Sequence, residues 1–425
     1  MKKILIALAV LLSVQVADAQ TKTPEAAKKA VESAEAAAAN PKKAAKLATW
    51  TKLASAYMDA YSAPAGAAWL GASKQELQIL MGNQKPISTE NVVVAGDQLV
   101  KEVYADKEFY YNVNGQLAII NVTKPVVEDV LAKAAEAYKK AGELDVKGTK
   151  SKDIMAGLAN VASKYIDDGM NCYQFGDLAK ASQLFEKAAN VSAIAPLSKV
   201  DTTALYNAAY TAWAGKDYER AKNFFEKCLD ANYYYEGGEV FAKLGDVYTN
   251  LGDAKKGAEI LEKGFVKFPQ SQSILIGLIN YYMTSGEDTD RLFTLIDEAK
   301  KNEPDNASLY YVEGNIYKEL KNVEKAVESY YKCAEINPEY EFGYIGAGIL
   351  YYELAIELQE KASNEYDDKK YNELVGQLEQ ALKNALDPFE KAYAVSKDDQ
   401  LKVSVAEYLK NIYYRFYSNG PEYEA

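Results

Sequence analysis

The chain has 425 residues and a formal net charge of −12, and it contains no histidine and only three cysteines. Without histidine it lacks the usual general base and the usual metal ligand, so we expect no enzyme activity, no metal and no cofactor. An acidic chain binds phosphate backbones and anionic lipids poorly, which argues against a nucleic-acid partner and against binding at an anionic membrane surface.

The first 19 residues have the pattern of a signal peptide. Two lysines, Lys2 and Lys3, precede an apolar stretch at residues 4–16 and a small-residue cleavage site at residues 17–19. We therefore predict cleavage before Gln20 and export, to the periplasm first of all, with secretion or outer-membrane association as alternatives. No later stretch reaches the roughly 18–20 apolar residues that a membrane span needs.

The sequence predicts helices first and then a segment that contains β-strands. Alanine-rich segments predict helices at residues 24–39 and 42–61, whereas residues 63–124 carry Gly, Pro and runs of Val, Ile and Tyr. The Asn114–Gly115 pair between two such runs indicates a β-hairpin, because this pair suits a left-handed turn. Residues 99–104 are a candidate third strand. Helix resumes at residue 125, so we interpret 63–124 as a β-containing insertion that splits the first helical unit.

The rest of the chain repeats one pattern about every 34 residues. Pro269, Pro304 and Pro338 each close a helical pattern, which before Pro269 and Pro338 reads as a large residue, a small one four positions on, another large one, and then a small–large–small trio. Before Pro304 the pattern falls on Ile276, Ile279, Met283, Leu292, Ile296 and Ala299. Small residues allow two helices to approach and large ones fill the groove between them, so each unit is a helical hairpin that must stack on its neighbours.

The predicted organisation therefore has seven parts. They are a signal peptide (1–19), N-terminal helices with the first helix of the first repeat (20–62), the β-containing insertion (63–124), the second helix of the first repeat (125–150), regular repeats (151–338), an extended last helix hairpin (339–397), and a C-terminal capping helix with its tail (398–425). Three cysteines, Cys172, Cys228 and Cys333, fall at interior positions of different units, so we expect free, buried thiols.

This pattern resembles the tetratricopeptide repeat (TPR) family, and the overall plan resembles exported TPR proteins of Gram-negative bacteria. The residues that carry the resemblance are Phe241, Leu244, Gly245, Tyr248 and Pro269 in one unit and Tyr310, Gly314, Tyr317, Ala326, Tyr330 and Pro338 in another. The implied fold is all-α: a right-handed superhelical solenoid of helix hairpins, with the small β insertion near the N-terminus. Asp168 stands where a leucine is usual, and Gly257 and Gly264 replace alanines, which is expected to loosen their helix.

In this family the first helix of each unit lines a concave groove that binds a partner segment. The resemblance therefore implies a set of partner-binding residues, which are Tyr173, Tyr206, Tyr210, Trp213, Asp246, Asn250, Tyr281, Tyr311, Asn315 and Lys318. Exposed Tyr and Trp are favoured at interfaces, which supports the assignment. The alternative is that these aromatic residues fill space between neighbouring first helices.

Three functions remain open at this point. The first is an exported, non-enzymatic scaffold that binds a protein partner through the concave groove, the β insertion, or both. The second is a periplasmic protein that binds a peptide or a glycan, with Tyr and Trp as stacking platforms. The third is a carboxylate-based glycosidase, which is disfavoured because nothing in the sequence gathers two carboxylates at one site. The identity of the partner and the oligomeric state do not follow from the sequence.

Overall fold

A computed structural model of the chain describes residues 21–81, 84–285 and 290–417. The predicted signal peptide lies outside these residues, so its assignment stays a prediction. The chain divides after Ala231 into two compact units, an N-terminal and a C-terminal one. Both consist mainly of helix hairpins, and the N-terminal unit also contains a four-stranded antiparallel sheet, which confirms the predicted fold class.

The N-terminal unit begins with three helices: α1 (Pro24–Ala39), α2 (Pro41–Ala44) and α3 (Leu47–Ser62). A proline at the first helical position and a capping side chain start both α1 and α2. The segment expected as one helix at 42–61 is broken, because α2 ends after a single turn. Trp50 Nε1 donates to the Ala44 carbonyl at 2.8 Å, which satisfies a carbonyl at that break.

A short helix and the sheet follow. Their bounds are α4 (Lys74–Leu80), β1 (Ser88–Val94), β2 (Asp97–Val103), β3 (Lys107–Tyr111) and β4 (Leu117–Val122), with strand order β1-β2-β3-β4. The hairpin and the third strand expected from the sequence are β3, β4 and β2, whereas β1 and α4 were missed. Gly115 adopts φ +72°, the left-handed conformation expected of it. It follows the turn rather than forming its centre, since its N–H donates to the Asn112 carbonyl at 2.9 Å.

The remaining helices of this unit form hairpins. They are α5 (Val130–Leu144), α6 (Ser151–Gln174), α7 (Leu178–Ser192), α8 (Thr202–Ala214) and α9 (Tyr218–Asp230). α3 packs directly against α5, although the whole sheet lies between them in the chain, and α6 packs against α7 and α8 against α9. Their shared core is rich in alanine, with Ala54, Ala134 and Ala162 among its buried members. Small side chains therefore set the close spacing of these helices.

The C-terminal unit opens with a 3₁₀ turn (Glu236–Gly238) and continues as helix hairpins. The helices are α10 (Glu239–Asn250), α11 (Ala254–Lys267), α12 (Gln272–Ser285), α13 (Asp290–Asn302), α14 (Ala307–Glu319), α15 (Val323–Ile336), α16 (Glu341–Ser363), α17 (Asp368–Val395) and α18 (Asp399–Tyr417). α18 buries Val405, Leu409 and Ile412 in the core that α16 and α17 form. It therefore covers apolar surface at this end of the array.

Two glycines in α11 leave no room for a side chain. A Cβ on Gly257 would lie 2.7 Å from the Gly245 carbonyl oxygen, and one on Gly264 would lie 2.6 Å from the Phe241 side chain. Both glycines are buried at the contact with α10. The two glycines therefore allow a closer approach of α10 than alanine would, and the prediction that they loosen α11 stays a prediction.

The three cysteines are free, and two of them are buried as expected. Burial raises the pKa of the Cys228 and Cys333 thiols to about 12, which keeps both protonated. Cys172 differs from the expectation because it is only partly buried, and burial raises its pKa less strongly.

Candidate functional site

The predicted partner-binding residues fall in both units. In the N-terminal unit, four of them form one aromatic cluster at the ends of α6 and α8. Tyr210 is at its centre, with ring centroids 6.2 Å from Tyr206, 6.5 Å from Tyr173 and 5.7 Å from Trp213. The spacing of four and three residues along α8 thus places these rings on one helix face, as expected.

Two members of this cluster are buried. Tyr206 is 6% exposed and Tyr210 is 7% exposed, and the Tyr206 ring also packs edge-on against Phe225 of α9 at 6.1 Å. Tyr173 and Trp213 keep part of their surface accessible. The cluster therefore has a buried centre with a half-exposed rim, and any role of its two central rings in binding a partner stays a prediction.

Asp246 and Asn250 are exposed and one turn apart on α10. The Asn250 side-chain amide donates to the Asp246 carboxylate at 3.1 Å and to its carbonyl at 2.9 Å. These bonds orient both side chains, so that a ligand would meet a pre-formed acceptor on Asp246. Their role in binding also stays a prediction.

Tyr281 and Tyr311 are half-buried on α12 and α14. The Tyr281 ring contacts Tyr282 edge-on at 5.2 Å, and Tyr282 is the buried member of this pair. Tyr311 packs against Tyr330 at 5.9 Å and against Phe342 at 5.7 Å. Both residues therefore contribute to packing while part of their surface stays accessible.

The last two predicted residues, Asn315 and Lys318, lie in a cleft between α12 and α14. This cleft has a volume of about 310 Å³. Its lining comprises Gln272, Leu275, Ile276, Ile279, Asn280, Asn315, Lys318 and Glu319. We call it the α12–α14 cleft. It has an aliphatic wall on α12, carboxamides around it and one charge of each sign on α14, which suits an extended peptide with an apolar side chain.

Contacts within α14 and its neighbours hold the polar side of this cleft in place. The Tyr330 hydroxyl donates to Asn315 Oδ1 at 2.8 Å, so a ligand would meet the amide donors of Asn315. Lys318 Nζ lies 3.0 Å from the Glu353 carboxylate. Asn315 is therefore oriented by α15 of its own hairpin, and Lys318 by α16 of the following one.

The sequence pattern misplaced Ile276. The pattern predicts that this residue fills the groove inside a hairpin, whereas 55% of its surface is exposed and it lines the α12–α14 cleft. Residues 274–283 are almost uninterruptedly apolar or aromatic, so the helix has little amphipathic contrast to show which side faces water. Ile279, from the same pattern, is buried as expected.

Asp168, the departure from the family pattern, has a polar partner. The Tyr61 hydroxyl of α3 donates to Asp168 Oδ1 at 2.8 Å, which links the two helices. Burial raises the pKa of this carboxyl to about 6, and the Tyr61 bond partly offsets that rise. α6 is continuous from Ser151 to Gln174 across this position.

Two absences hold for the part of the chain that the structure describes. In residues 21–81, 84–285 and 290–417, no three His, Cys, Asp or Glu side chains converge as a metal site would require. Over the same ranges, no helix has the length and apolar character needed to span a bilayer.

Comparison with known proteins gives three kinds of match. The family model described as tetratricopeptide repeat matches residues 202–234 and 307–340. A TPR repeat-containing protein of Methanocaldococcus jannaschii is 24% identical over 212 residues, which are 50% of this chain and only 30% of that protein. A TPR repeats protein from Bacteroides fragilis NCTC 9343 is 15% identical, with 60% of this chain and 99% of that chain covered and a TM-score of 0.26.

A second solved structure, YrrB, is described as a TPR protein with an unusual peptide-binding site. It is 24% identical, with 49% of this chain and 96% of that chain covered and a TM-score of 0.27. The repeat pattern, the helix hairpins and the two matched segments lead to the same conclusion: the chain contains tetratricopeptide repeats, at residues 202–234 and 307–340.

Proposed function

We propose that this protein is an exported, non-enzymatic scaffold that binds an extended segment of a partner protein in the α12–α14 cleft. One observation carries the proposal: successive first helices of two repeats enclose a cleft with an aliphatic wall and carboxamides beside it. Carboxamides of Asn and Gln can both donate to and accept from a peptide backbone, and the aliphatic wall would hold one apolar side chain.

A protein or peptide segment fits this cleft better than a glycan does. Sugar rings are commonly held by stacking on aromatic faces, whereas the side chains that line the cleft are aliphatic, amide or charged. Two of the tyrosines that could serve as stacking platforms, Tyr206 and Tyr210, are buried. Glycan binding therefore remains the alternative with the weaker support.

Site-specific crosslinking tests the proposal. A photoreactive amino acid at position 276 should capture a partner in intact cells, because Ile276 is exposed inside the cleft. The matched control is position 266, where Val266 is 71% exposed on α11 but does not line the cleft. Capture at both positions, or only at 266, would mean that the cleft is not the binding site.

Affinity measurements with the captured partner then separate binding from folding. Ile276→Ser should weaken binding by about 1–3 kcal/mol, whereas Val266→Ser should leave it unchanged. Both residues are exposed, so both variants should keep the melting temperature close to that of the wild type. The export part of the proposal has its own test, because N-terminal sequencing of the exported protein should begin at Gln20.

A further inference from the structure

The two edges of the sheet differ in how they are covered. The β4 edge is closed at its start: the Gly71 N–H donates to the Leu117 carbonyl at 2.7 Å and the Leu117 N–H donates to the Ala72 carbonyl at 2.9 Å. Farther along, the Asn171 side-chain amide of α6 donates to the Ile120 carbonyl at 3.0 Å. Within the described residues, the sheet has no strand on the outer side of β1.

β1 also lacks most of the features that protect an exposed edge. Its seven residues pair with β2 without a break in register, and they include neither proline nor lysine. Such interruptions normally prevent another chain from adding to an edge strand. Three consecutive valines end the strand, and Val93 is 62% exposed. β1 is therefore able to accept a further strand.

The backbone groups that point outward from β1 can be identified. The Tyr104 N–H donates to the Lys107 carbonyl at 2.8 Å, so even-numbered residues of β2 bond to β3. The direction of the backbone hydrogen bonds alternates along a strand. The backbone groups of Lys101 and Leu99 therefore bond to those of their β1 partners, Glu90 and Val92. The free edge thus consists of the N–H and C=O groups of Thr89, Asn91 and Val93.

A row of alternating charge crosses one face of the sheet and ends on this edge. The Asn121 amide donates to Glu108 at 2.9 Å, Lys101 Nζ lies 3.0 Å from Glu108, and Lys101 Nζ lies 3.7 Å from Glu90. The outermost member, Glu90, keeps 54% of its side chain exposed. A positive charge on an added strand would continue this row, whereas a negative charge would be repelled.

We propose that β1 is a second docking site, where an extended segment of a partner protein adds antiparallel as a fifth strand. The segment carries Lys or Arg opposite Glu90 and an apolar residue opposite Val92. Both positions are non-hydrogen-bonded pairs, in which facing side chains lie closest. The antiparallel direction continues that of the sheet. This site is independent of the α12–α14 cleft, so either can fail without the other.

A second copy of the chain fits this edge less well than a partner segment. If β1 paired with itself antiparallel about Asn91, each Glu90 would face Val92 of the other copy. The two Glu90 carboxylates would then be diagonal neighbours on one face with no added cation between them, which is unfavourable. The charge row therefore favours a basic segment over self-association.

The probe is a fluorescent, end-blocked peptide, Val-Thr-Val-Thr-Lys-Thr-Thr, added to the full-length protein. Paired antiparallel, it places its lysine opposite Glu90 and its two valines opposite Val92 and Val94. The matched peptide has glutamate in place of lysine and should bind about fivefold more weakly or worse. Hydrogen exchange of the segment at 88–94 should slow when the lysine peptide is added, because the outward amides become bonded.

Two protein variants test the geometry. Asn91→Pro removes one outward N–H without removing a bond to β2, and it should weaken the binding of the lysine peptide about tenfold. Asn91→Ala keeps that N–H and should change affinity less than about twofold. Glu90→Gln should abolish the preference for the lysine peptide, and this variant decides the question if Asn91→Pro disturbs the sheet.

Several outcomes would overturn the proposal. These are equal binding of the two peptides to the wild type, no binding of either at millimolar concentration, and unchanged binding to Asn91→Pro with the sheet intact. If the wild type forms a concentration-dependent dimer and Asn91→Pro prevents it, the strand that adds to β1 belongs to a second copy of the chain and not to a partner protein.

Discussion

The first helices α8 and α12 occupy equivalent places in their repeats, yet they expose different residues. α8 carries Tyr206 and Tyr210, which the family resemblance assigns to the groove, and both are buried. α12 carries Ile276, which the repeat pattern assigns to the hairpin interior, and it is more than half exposed. The position of a residue in the repeat therefore does not decide its exposure. Its neighbours do, because large rings around α8 cover each other whereas a cleft opens beside α12.

The largest expected effect is on the stability of the fold, at the buried tyrosine Tyr206 of α8. Tyr206→Ala should lower the free energy of unfolding by about 3 kcal/mol, because it removes a ring packed against Tyr210 and Phe225. Ile276→Ser should change it by less than about 0.5 kcal/mol. Urea titrations of both variants give the two values. Equal losses would mean that the two helices do not differ as described.

The next effect concerns how closely hairpins are packed. Gly245→Ala should cost about 1–3 kcal/mol, because its new Cβ would lie 2.6 Å from the Leu261 side chain. Gly376→Ala is the matched control on α17, since no neighbouring atom lies within 4 Å of its Cβ position. That substitution should stabilise the protein by up to about 1 kcal/mol through helix propensity. Thermal melts of the two variants give the sign and the size of each change in stability.

A smaller effect should depend on pH. The folded-state pKa of Asp168 is raised to about 6 from an ordinary value of 3.8, so its stabilising contribution is full below pH 4 and is lost as the pH rises through 6. Asp168→Asn removes this titration but keeps an acceptor for Tyr61. Compared with this variant, the wild type should lose about 1–2 kcal/mol between pH 4 and pH 7.

Chemical denaturation of both proteins at several pH values gives this difference. The nearby residues Asp167, Lys164 and Lys180 are the same in both proteins, so the difference measures the Asp168 carboxyl together with its interactions with these charges. A difference that stays constant from pH 4 to pH 7 would show that Asp168 is not buried as the structure has it.

The smallest expected effect is on reactivity rather than on stability. A thiol reagent should label Cys172 before Cys228 and Cys333 in the native protein, because only Cys172 is partly exposed. The raised pKa slows the reaction of all three thiols with the reagent, since the thiolate is the reactive form. Mass spectrometry of digests taken over time gives the order of labelling. Early labelling of Cys228 would contradict the tight packing of α9 against α8.

Much of the fold could be predicted because it depends on short-range sequence signals. The recurrence of Gly245 and Gly314 at a fixed distance before a proline predicts hairpins, since small residues let two helices approach. Asn114 and Gly115 predicted the β3–β4 hairpin, because a left-handed turn needs such residues. The missed strand β1 has no comparable turn signal before it, and α4 is only seven residues long.

The candidate site was harder to predict, because exposure depends on contacts distant in sequence. Asn315 and Lys318 follow from the repeat register, and the structure brings both into the α12–α14 cleft. Ile276 and Asn280 were missed, because an apolar helix such as α12 does not reveal which face is covered. The edge formed by β1 likewise depends on which strand lies outermost in the sheet.

The sequence by itself therefore determined the helical hairpin, its period and the family. These follow from local propensity and from spacing along a single chain. Only the tertiary structure decided that Tyr206 and Tyr210 are buried, that Asp168 bonds to Tyr61, and that the sheet leaves one edge open. The physical reason is that burial and pairing depend on atoms from separate elements, which the order of residues in one element does not specify.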